Sequence, residues 1–288
     1  MPPLRVVTDS TCDLPAALIE QYNITVVPVN IHIGAQVYQE WAELTTDNYF
    51  QHLATAAPAS PLHSSPPTVE AFEQVYQRIQ RERSADGIVS IHLSSKLSGT
   101  YSAALAAREA HVNRPYPLAV LDSQAASMGL GLIVLQAARA AYEGASWSEV
   151  VNGVQRTVPQ THVAFFVDSV EPLLRSGRVP KLLAQAEMLR PLKPLLRLDE
   201  GQVVLFERTR TRYKALDALY TFVEDFPHIE QLVLLHATSA HETEALATRL
   251  GTTGPIPRDQ ITIQQYGPAL ALALGPGAVG VAVYEGEA

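Results

Sequence analysis

The feature that most constrains this fold is a repeated order of strand, short polar turn and helix through the first half of the chain. Leu4-Arg5-Val6-Val7 reads as a strand that breaks off in Thr8-Asp9-Ser10. Asp13-Leu14-Pro15 then offers a helix start, with Asp13 as N-cap and the proline in the first turn. A β-rich piece follows from Ile24 to Ile33, with helical patterns at 46–54 and 68–83. The strand at 87–93, a helix after Ser98, a strand at 117–121 and a long helix from about 123 to 142 repeat the order. Parallel neighbours need a crossover between them, so this alternation predicts a parallel, Rossmann-like sheet with helices on both faces. Between the two early helices, APASPLHSSPP at 57–67 reads as a loop on its proline and serine content.

From about Gln160 the order changes. His162 to Val167 reads as a strand, Glu171 to Ser176 as a short helix, and Asp199-Glu200-Gly201 as the turn of a hairpin between 194–198 and 202–207. A helix at 211–225, a strand at 231–236, a helix at 240–250 and strands at 260–266 and 279–284 complete an α+β pattern with a mixed or antiparallel sheet. A chain of 288 residues exceeds what one ordinary core holds, so two domains are expected, 1–159 and 160–288, joined near 157–161. The expected class is α/β, a parallel-sheet N-terminal domain followed by an α+β C-terminal domain.

Composition narrows the function. With 47% hydrophobic and 17% charged residues the chain should bury a substantial core. The formal charge of −8 disfavours nucleic acid and anionic membrane surfaces as partners. The single cysteine, Cys12, rules out an internal disulfide and any cysteine-cluster metal site. No signal-peptide pattern is present, and the longest apolar run, near Met128 to Leu135, is too short to span a bilayer, so a cytoplasmic protein is expected. No phosphate loop of the Gly-x-x-x-x-Gly-Lys-Ser/Thr kind and no Gly-x-Ser-x-Gly elbow occurs.

Three hydroxyl-rich stretches stand near strand ends or helix starts: Thr8-Asp9-Ser10, Leu62-His63-Ser64-Ser65 and Ser94-Ser95-Lys96-Leu97-Ser98-Gly99-Thr100. In an open parallel sheet such turns meet at the carboxyl ends of the strands, where ligands bind. The last stretch suits an anion at a helix N-terminus, and it equally suits a turn capped by Ser98. A serine- and histidine-dependent acyl- or phosphoryl-transfer site is the alternative function. His236 and His241 are badly spaced for paired metal ligands, and Asp9 and Asp13 lack the glycine and closing glutamate of a calcium loop, so they read as turn and cap residues. The segment from Ser127 to Leu135 is apolar all round, which means burial between layers. Gly129 and Gly131 each cost a helix about 1 kcal/mol, so something needs the space, and a lipid chain would use it.

Six motifs in order, VVTDSTCDLP, SIHLSSKLSGTYSAA, VLDSQAASMGLGLIVLQAA, LLRSGRV, LKPLLRLDEGQVVLFERTRTR and GPGAVGVAVY, resemble the DegV family of bacterial fatty-acid-binding proteins over essentially the whole chain. The resemblance implies two α/β domains with an acyl chain in an apolar tunnel and the carboxylate held by hydroxyls between them. It implies a non-catalytic carrier without a cofactor, which presents the fatty acid to a separate ATP-dependent fatty acid kinase for phospholipid synthesis. Ser94 or Ser95 matches the family's carboxylate-contacting serine. Gly177 and Arg178 match its Gly-Arg segment, and Arg210 a basic position after the hairpin; the two arginines suit the head group or the kinase surface, and equally a structural ion pair. Met128, Gly129, Gly131 and Leu132 are expected along the tunnel. Two departures stand out. His63-Ser64 replaces the usual Thr-Ser, and Ala273 replaces the family histidine, so His63 is a candidate substitute for the lost imidazole.

Overall fold

A computed structural model describes residues 4–55, 61–82, 85–110, 116–179 and 186–286. The chain begins with β1 (Leu4–Asp9), α1 (Ala16–Gln21), β2 (Thr25–Val27), β3 (Asn30–Ile33), β4 (Gln36–Gln39), α2 (Thr46–Thr55), β5 (Leu62–Ser65) and α3 (Val69–Arg81). It continues through β6 (Gly87–His92), α4 (Thr100–Glu109), β7 (Leu118–Asp122), α5 (Met128–Tyr142) and α6 (Trp147–Thr157). Then come β8 (Thr161–Phe166), α7 (Glu171–Arg175), α8 (Ala186–Leu189), β9 (Leu195–Asp199), β10 (Gln202–Glu207) and α9 (Arg212–Glu224). The last elements are β11 (Gln231–His236), α10 (Ala240–Thr253), β12 (Ile261–Gln265), α11 (Pro268–Leu274) and β13 (Val279–Tyr284).

The expected parallel sheet is present, in the order β2-β1-β6-β7. β1 lies between β2 and β6, so the turns that leave β1 and β6 part company and open a crevice at the carboxyl ends of the strands. A second sheet runs β10-β9-β8-β13-β11-β12, antiparallel except for the β11–β12 pair. Side chains alternate across it. On β8, Val163 and Phe165 enter the core shared with the first half, while Ala164 and Phe166 enter a separate core under α9 and α10. α5 is the slab between the two sheets, with Met128 to Leu135 buried without interruption. The all-round apolar pattern therefore does mean burial between layers.

Several local expectations need correction. Leu62–Ser65 is not loop but the edge strand of a small antiparallel sheet, β4-β3-β5. An edge strand bonds a neighbour on one side only, so prolines at its ends, Pro61 and Pro66, are tolerated. The expected loop at 57–60 and the end of the early helix at Arg83 lie outside the described residues. Asp13 does not cap α1: it sits in the left-handed region with φ 52°, and α1 starts at Ala16. The helix expected from about residue 123 starts at Met128, because Gln124 and Ser127 have positive φ. α6 carries a capping box, Ser146 with Glu149, whose signature is legible in the sequence.

Candidate functional site

A cavity of about 790 Å³, its opening to solvent included, lies where the turns at the carboxyl ends of the parallel strands meet the inner face of the second sheet. Thr11 enters from the turn after β1, Leu93 and Leu97 from the turn after β6, and Ala126 and Ser127 from the turn before α5. The floor is the sheet itself, through Val163 and Phe165, Leu198, Val203, Leu235 and Gly280. α11 covers one side with Ala269, Leu270, Ala273 and Leu274, and the segment after α7 closes another with Ser176, Arg178 and Val179.

The polar atoms at this cavity are few, and most of their protons are directed away from it. Thr11 Oγ1 donates to Asp9, and Ser127 Oγ donates to Asp13 Oδ2 at 2.6 Å. Ser176 Oγ donates to the carbonyl of Leu173 at 2.6 Å, and the Tyr266 hydroxyl lies 3.2 Å from the carbonyl of Gly275. A hydroxyl has one proton, so while these bonds hold none of the four has a proton free for a ligand. Among the described residues Arg178 is the charged side chain of the lining. Its Nη2 donates to Ser64 Oγ at 2.8 Å, which leaves further guanidinium donors for a ligand. Burial lowers the Arg178 pKa and the nearby Glu40 opposes the shift, but a guanidinium stays charged.

Beneath the cavity two buried carboxylates clasp the start of α11. Asp13 Oδ1 accepts from Gly267 N at 2.8 Å and from Trp41 Nε1 at 3.3 Å; Glu40 accepts from Ala269 N at 2.7 Å and from Ser10 Oγ at 2.6 Å. Gly267 is required there, since a Cβ would lie 2.5 Å from Glu40 Oε1. Burial pushes the Glu40 carboxyl up to about 7 and raises Asp13 well above the usual carboxylate range, each aggravated by neighbouring carboxylate charge. Asp13, Trp41 and Ser127 all carry positive φ, and both of Asp13's side-chain donors belong to that set. Backbone strain of this sort gathers where the surroundings over-determine a geometry.

The sequence-predicted residues fall into two groups. Arg178 lines the cavity and holds Ser64, so the structure joins those two. The others point elsewhere. Ser94 is buried but donates across to the carbonyl of Gly201 at 2.8 Å, which ties the turn after β6 to the hairpin of the second sheet. Ser95 is exposed and bonded to Asp122. The leucines of the same stretch, Leu93 and Leu97, are the ones that reach the cavity. His63 does not replace the lost histidine: it lies opposite His32 in the sheet register and stacks on it at 4.1 Å, on the face of β5 away from Ser64. Arg210 is exposed and Gly177 makes a left-handed turn at the surface. Met128, Gly129, Gly131 and Leu132 do not line the cavity, because protein fills the space that the glycines open. A Cβ on Gly129 would lie 2.3 Å from Val163, and one on Gly131 would lie 2.4 Å from the carbonyl of Cys12. Glu40, Asp13 and Ser127 were not foreseen. Glu40 stands in no periodic pattern, whereas Gly267-Pro268 does signal the helix start that it clasps.

A Ser-His-Asp array exists elsewhere in the chain. His92 Nε2 lies 2.7 Å from Ser90 Oγ and its Nδ1 lies 3.0 Å from Asp9 Oδ2. All three are fully buried, Ser90 also meets the Tyr76 hydroxyl at 2.9 Å, and none of the three lines the cavity. A nucleophile must reach its substrate, so this array serves as a satisfied polar network. No group of three or more His, Cys, Asp or Glu side chains placed to hold a metal ion occurs among the described residues. Nor is any described helix long and apolar enough to cross a membrane.

The fold and cavity define an α/β protein in which a largely apolar cavity lies between a parallel sheet and a mixed sheet, with Arg178 as the charged residue of its lining among the described residues. The family profile described as "Uncharacterised protein, DegV family" matches residues 3–286, and the chain belongs to the DegV family. A DegV domain-containing protein of Streptomyces coelicolor is 35% identical over 97% of this chain and 98% of its own length, and one of Mycobacterium tuberculosis is 35% identical over 96% of both. Among solved structures, a fatty-acid-binding DegV family protein from Thermus thermophilus matches with TM-score 0.87 and 32% identity, covering 98% of this chain and 99% of that one. A fatty acid binding DegV family protein from Streptococcus agalactiae matches with TM-score 0.89 and 25% identity, over 99% of each chain.

Proposed function

We propose that this chain binds one long-chain fatty acid in the cavity, with the carboxylate at Arg178 and the acyl chain along the inner face of the second sheet, and presents it to a separate ATP-dependent fatty acid kinase. The observation that carries this reading is the lining: leucine, valine, alanine and phenylalanine side chains, with Arg178 as the charged residue among those described. Each buried methylene contributes about 0.8 kcal/mol, so about fourteen give on the order of 11 kcal/mol before the costs of association. Affinity then comes from the chain and orientation from the head. Ser64 steadies the guanidinium in place of a histidine, since Ala273 offers the head group no donor. Fatty acid binding by the Thermus and Streptococcus relatives supports the choice of ligand.

Native mass spectrometry of the purified protein tests the reading. A co-purifying fatty acid mass is expected, and Arg178→Ala should weaken binding roughly tenfold or more, the worth of a charge-assisted hydrogen bond. With a fatty acid kinase catalytic subunit and ATP added, acyl phosphate should form on the bound acid. An empty wild-type protein that takes up no fatty acid would end the proposal.

A further inference from the structure

The four hydroxyls at the cavity are not equivalent. The Thr11 proton goes to Asp9, whose oxygens are shared with His92 Nδ1 and Leu93 N, so it is locked in a network. Ser176 and Tyr266 face backbone carbonyls, which only accept. Ser127 faces Asp13 Oδ2, 2.6 Å away, a carboxylate oxygen that can change from acceptor to donor and that, unlike the Asp9 oxygens, is not shared with further donors among the described residues. The Asp13 oxygens divide their work cleanly. Oδ1 takes both N–H donors, from Gly267 and Trp41, while Oδ2 has Ser127 as its partner. A proton on the carboxyl therefore belongs on Oδ2.

We propose that Asp13 is a positioning residue for the head group: when its Oδ2 carries a proton it donates to Ser127, and Ser127 then turns its own hydroxyl proton into the cavity to bind the ligand carboxylate. This deepens the fatty-acid reading and rests on it. With Asp13 ionised, the Ser127 proton is held by Oδ2, and the ligand meets a lone pair backed by a negative charge. With Asp13 neutral, the same two atoms at the same separation present a donor. The proton enters from solvent, and no bond other than hydrogen bonds forms or breaks.

The surroundings favour the neutral form. Glu40 faces this corner from the turn after β4, Asp9 from the end of β1, Cys12 from the turn after it, and Tyr266 from the turn after β12. Arg178 faces Glu40 and is the cation of the group. Burial and the Glu40 charge both raise the Asp13 pKa, whereas the bonds from Ser127, Gly267 and Trp41 oppose them. Asp13 is thus protonated more readily than an exposed aspartate, and the head-group donor is available below its raised pKa and lost above it.

Fatty acid affinity measured from pH 5 to pH 10 with a fluorescent or isotope-labelled palmitate tests this, on wild type, Asp13→Asn and Ser127→Ala. In Asp13→Asn the side-chain oxygen can accept from Gly267 and Trp41 while the amide donates to Ser127, which fixes the arrangement of the protonated acid. Wild-type affinity should fall with rising pH, while the Asp13→Asn profile should be flatter. Ser127→Ala should bind roughly tenfold more weakly than wild type at low pH, with the two converging at high pH. If Asp13→Asn does not fold, the converging or parallel course of wild type and Ser127→Ala decides alone. Parallel profiles in protein that binds palmitate would overturn the role of Asp13 and leave the fatty-acid reading intact. A wild-type protein that binds no palmitate at any pH would overturn both.

Discussion

Replacing Glu40 by glutamine should make the protein's stability less dependent on pH, and the size of the effect follows from the clasp on α11. Glu40 is buried, and its carboxyl is raised from 4.5 to about 7, chiefly by desolvation and further by Asp9. In the unfolded chain it returns to its ordinary value. The native state therefore holds more protons than the unfolded state between 4.5 and about 7, and stability falls as pH rises through that window. At 1.36 kcal/mol per pH unit, the full loss is about 3 kcal/mol. In Glu40→Gln the amide oxygen can accept from Ala269 N while the amide nitrogen donates to Ser10 Oγ, which already accepts from Val29 N at 2.9 Å. That is the hydrogen-bond pattern of the protonated acid without a titratable proton. Urea unfolding at a series of pH values from 4.5 to 8.5 should show the variant gaining about 3 kcal/mol relative to wild type across the series. The Glu40 charge also raises the Asp13 carboxyl, so the difference between the two curves reports this coupled pair with Glu40 as the group removed. Curves that run parallel would refute the argument, because the proton would then not reside on Glu40.

Two further substitutions probe the core and the cavity floor. Gly131→Ala places a Cβ 2.4 Å from the carbonyl oxygen of Cys12, backbone that cannot swing aside, so a loss of about 2 kcal/mol or more in urea unfolding is expected despite alanine's better helix propensity. Gly280 lies between Phe165 and Leu235 in the sheet register on the cavity floor, where an added Cβ would lie 3.1 Å from the carbonyl oxygen of Ala164 and 3.2 Å from Phe165 Cβ. Gly280→Ala should shift the co-purifying fatty acids toward shorter chains and Leu235→Ala toward longer ones, as read by mass spectrometry.

Much of the fold was legible because it depends on periodicity. The alternation of β1, β6 and β7 with helices determined the parallel sheet, and the switch of neighbours at β1 put the hydroxyl-rich turns at the carboxyl ends of the strands. Which hydroxyls lie at the cavity was not legible, because that depends on packing between segments far apart in the chain. Ser94 and Ser95 stand in the stretch LSSKLSGT with equal local claims, yet Gly201, more than a hundred residues onward, takes one and Asp122 takes the other. Asp13 reads as a cap by its spacing to Pro15, and only packing against Gly267 and Trp41 shows it as a buried acid. His63 matched a motif position, but a strand alternates its faces, and the side chain next to it, Ser64, is the one that meets Arg178.

The loss of a histidine at Ala273 has an energetic consequence for selectivity. An imidazole and hydroxyls together would hold a head group through several moderate bonds, each with its own direction. On the proposed binding mode the side-chain donors reduce to a guanidinium, which suits a planar carboxylate through two parallel N–H bonds, and one hydroxyl whose direction Asp13 would set. Charge discrimination then rests on Arg178, since a neutral alcohol or ester would leave that partly buried cation without its counter-charge while gaining the same benefit from chain burial. The methylene contribution, about 0.8 kcal/mol each, is common to all such lipids and cannot tell them apart. On the proposed binding mode, discrimination by head group falls to Arg178 and to Ser127 with Asp13 behind it, and discrimination by chain to the sheet floor around Gly280, two separable devices in one cavity.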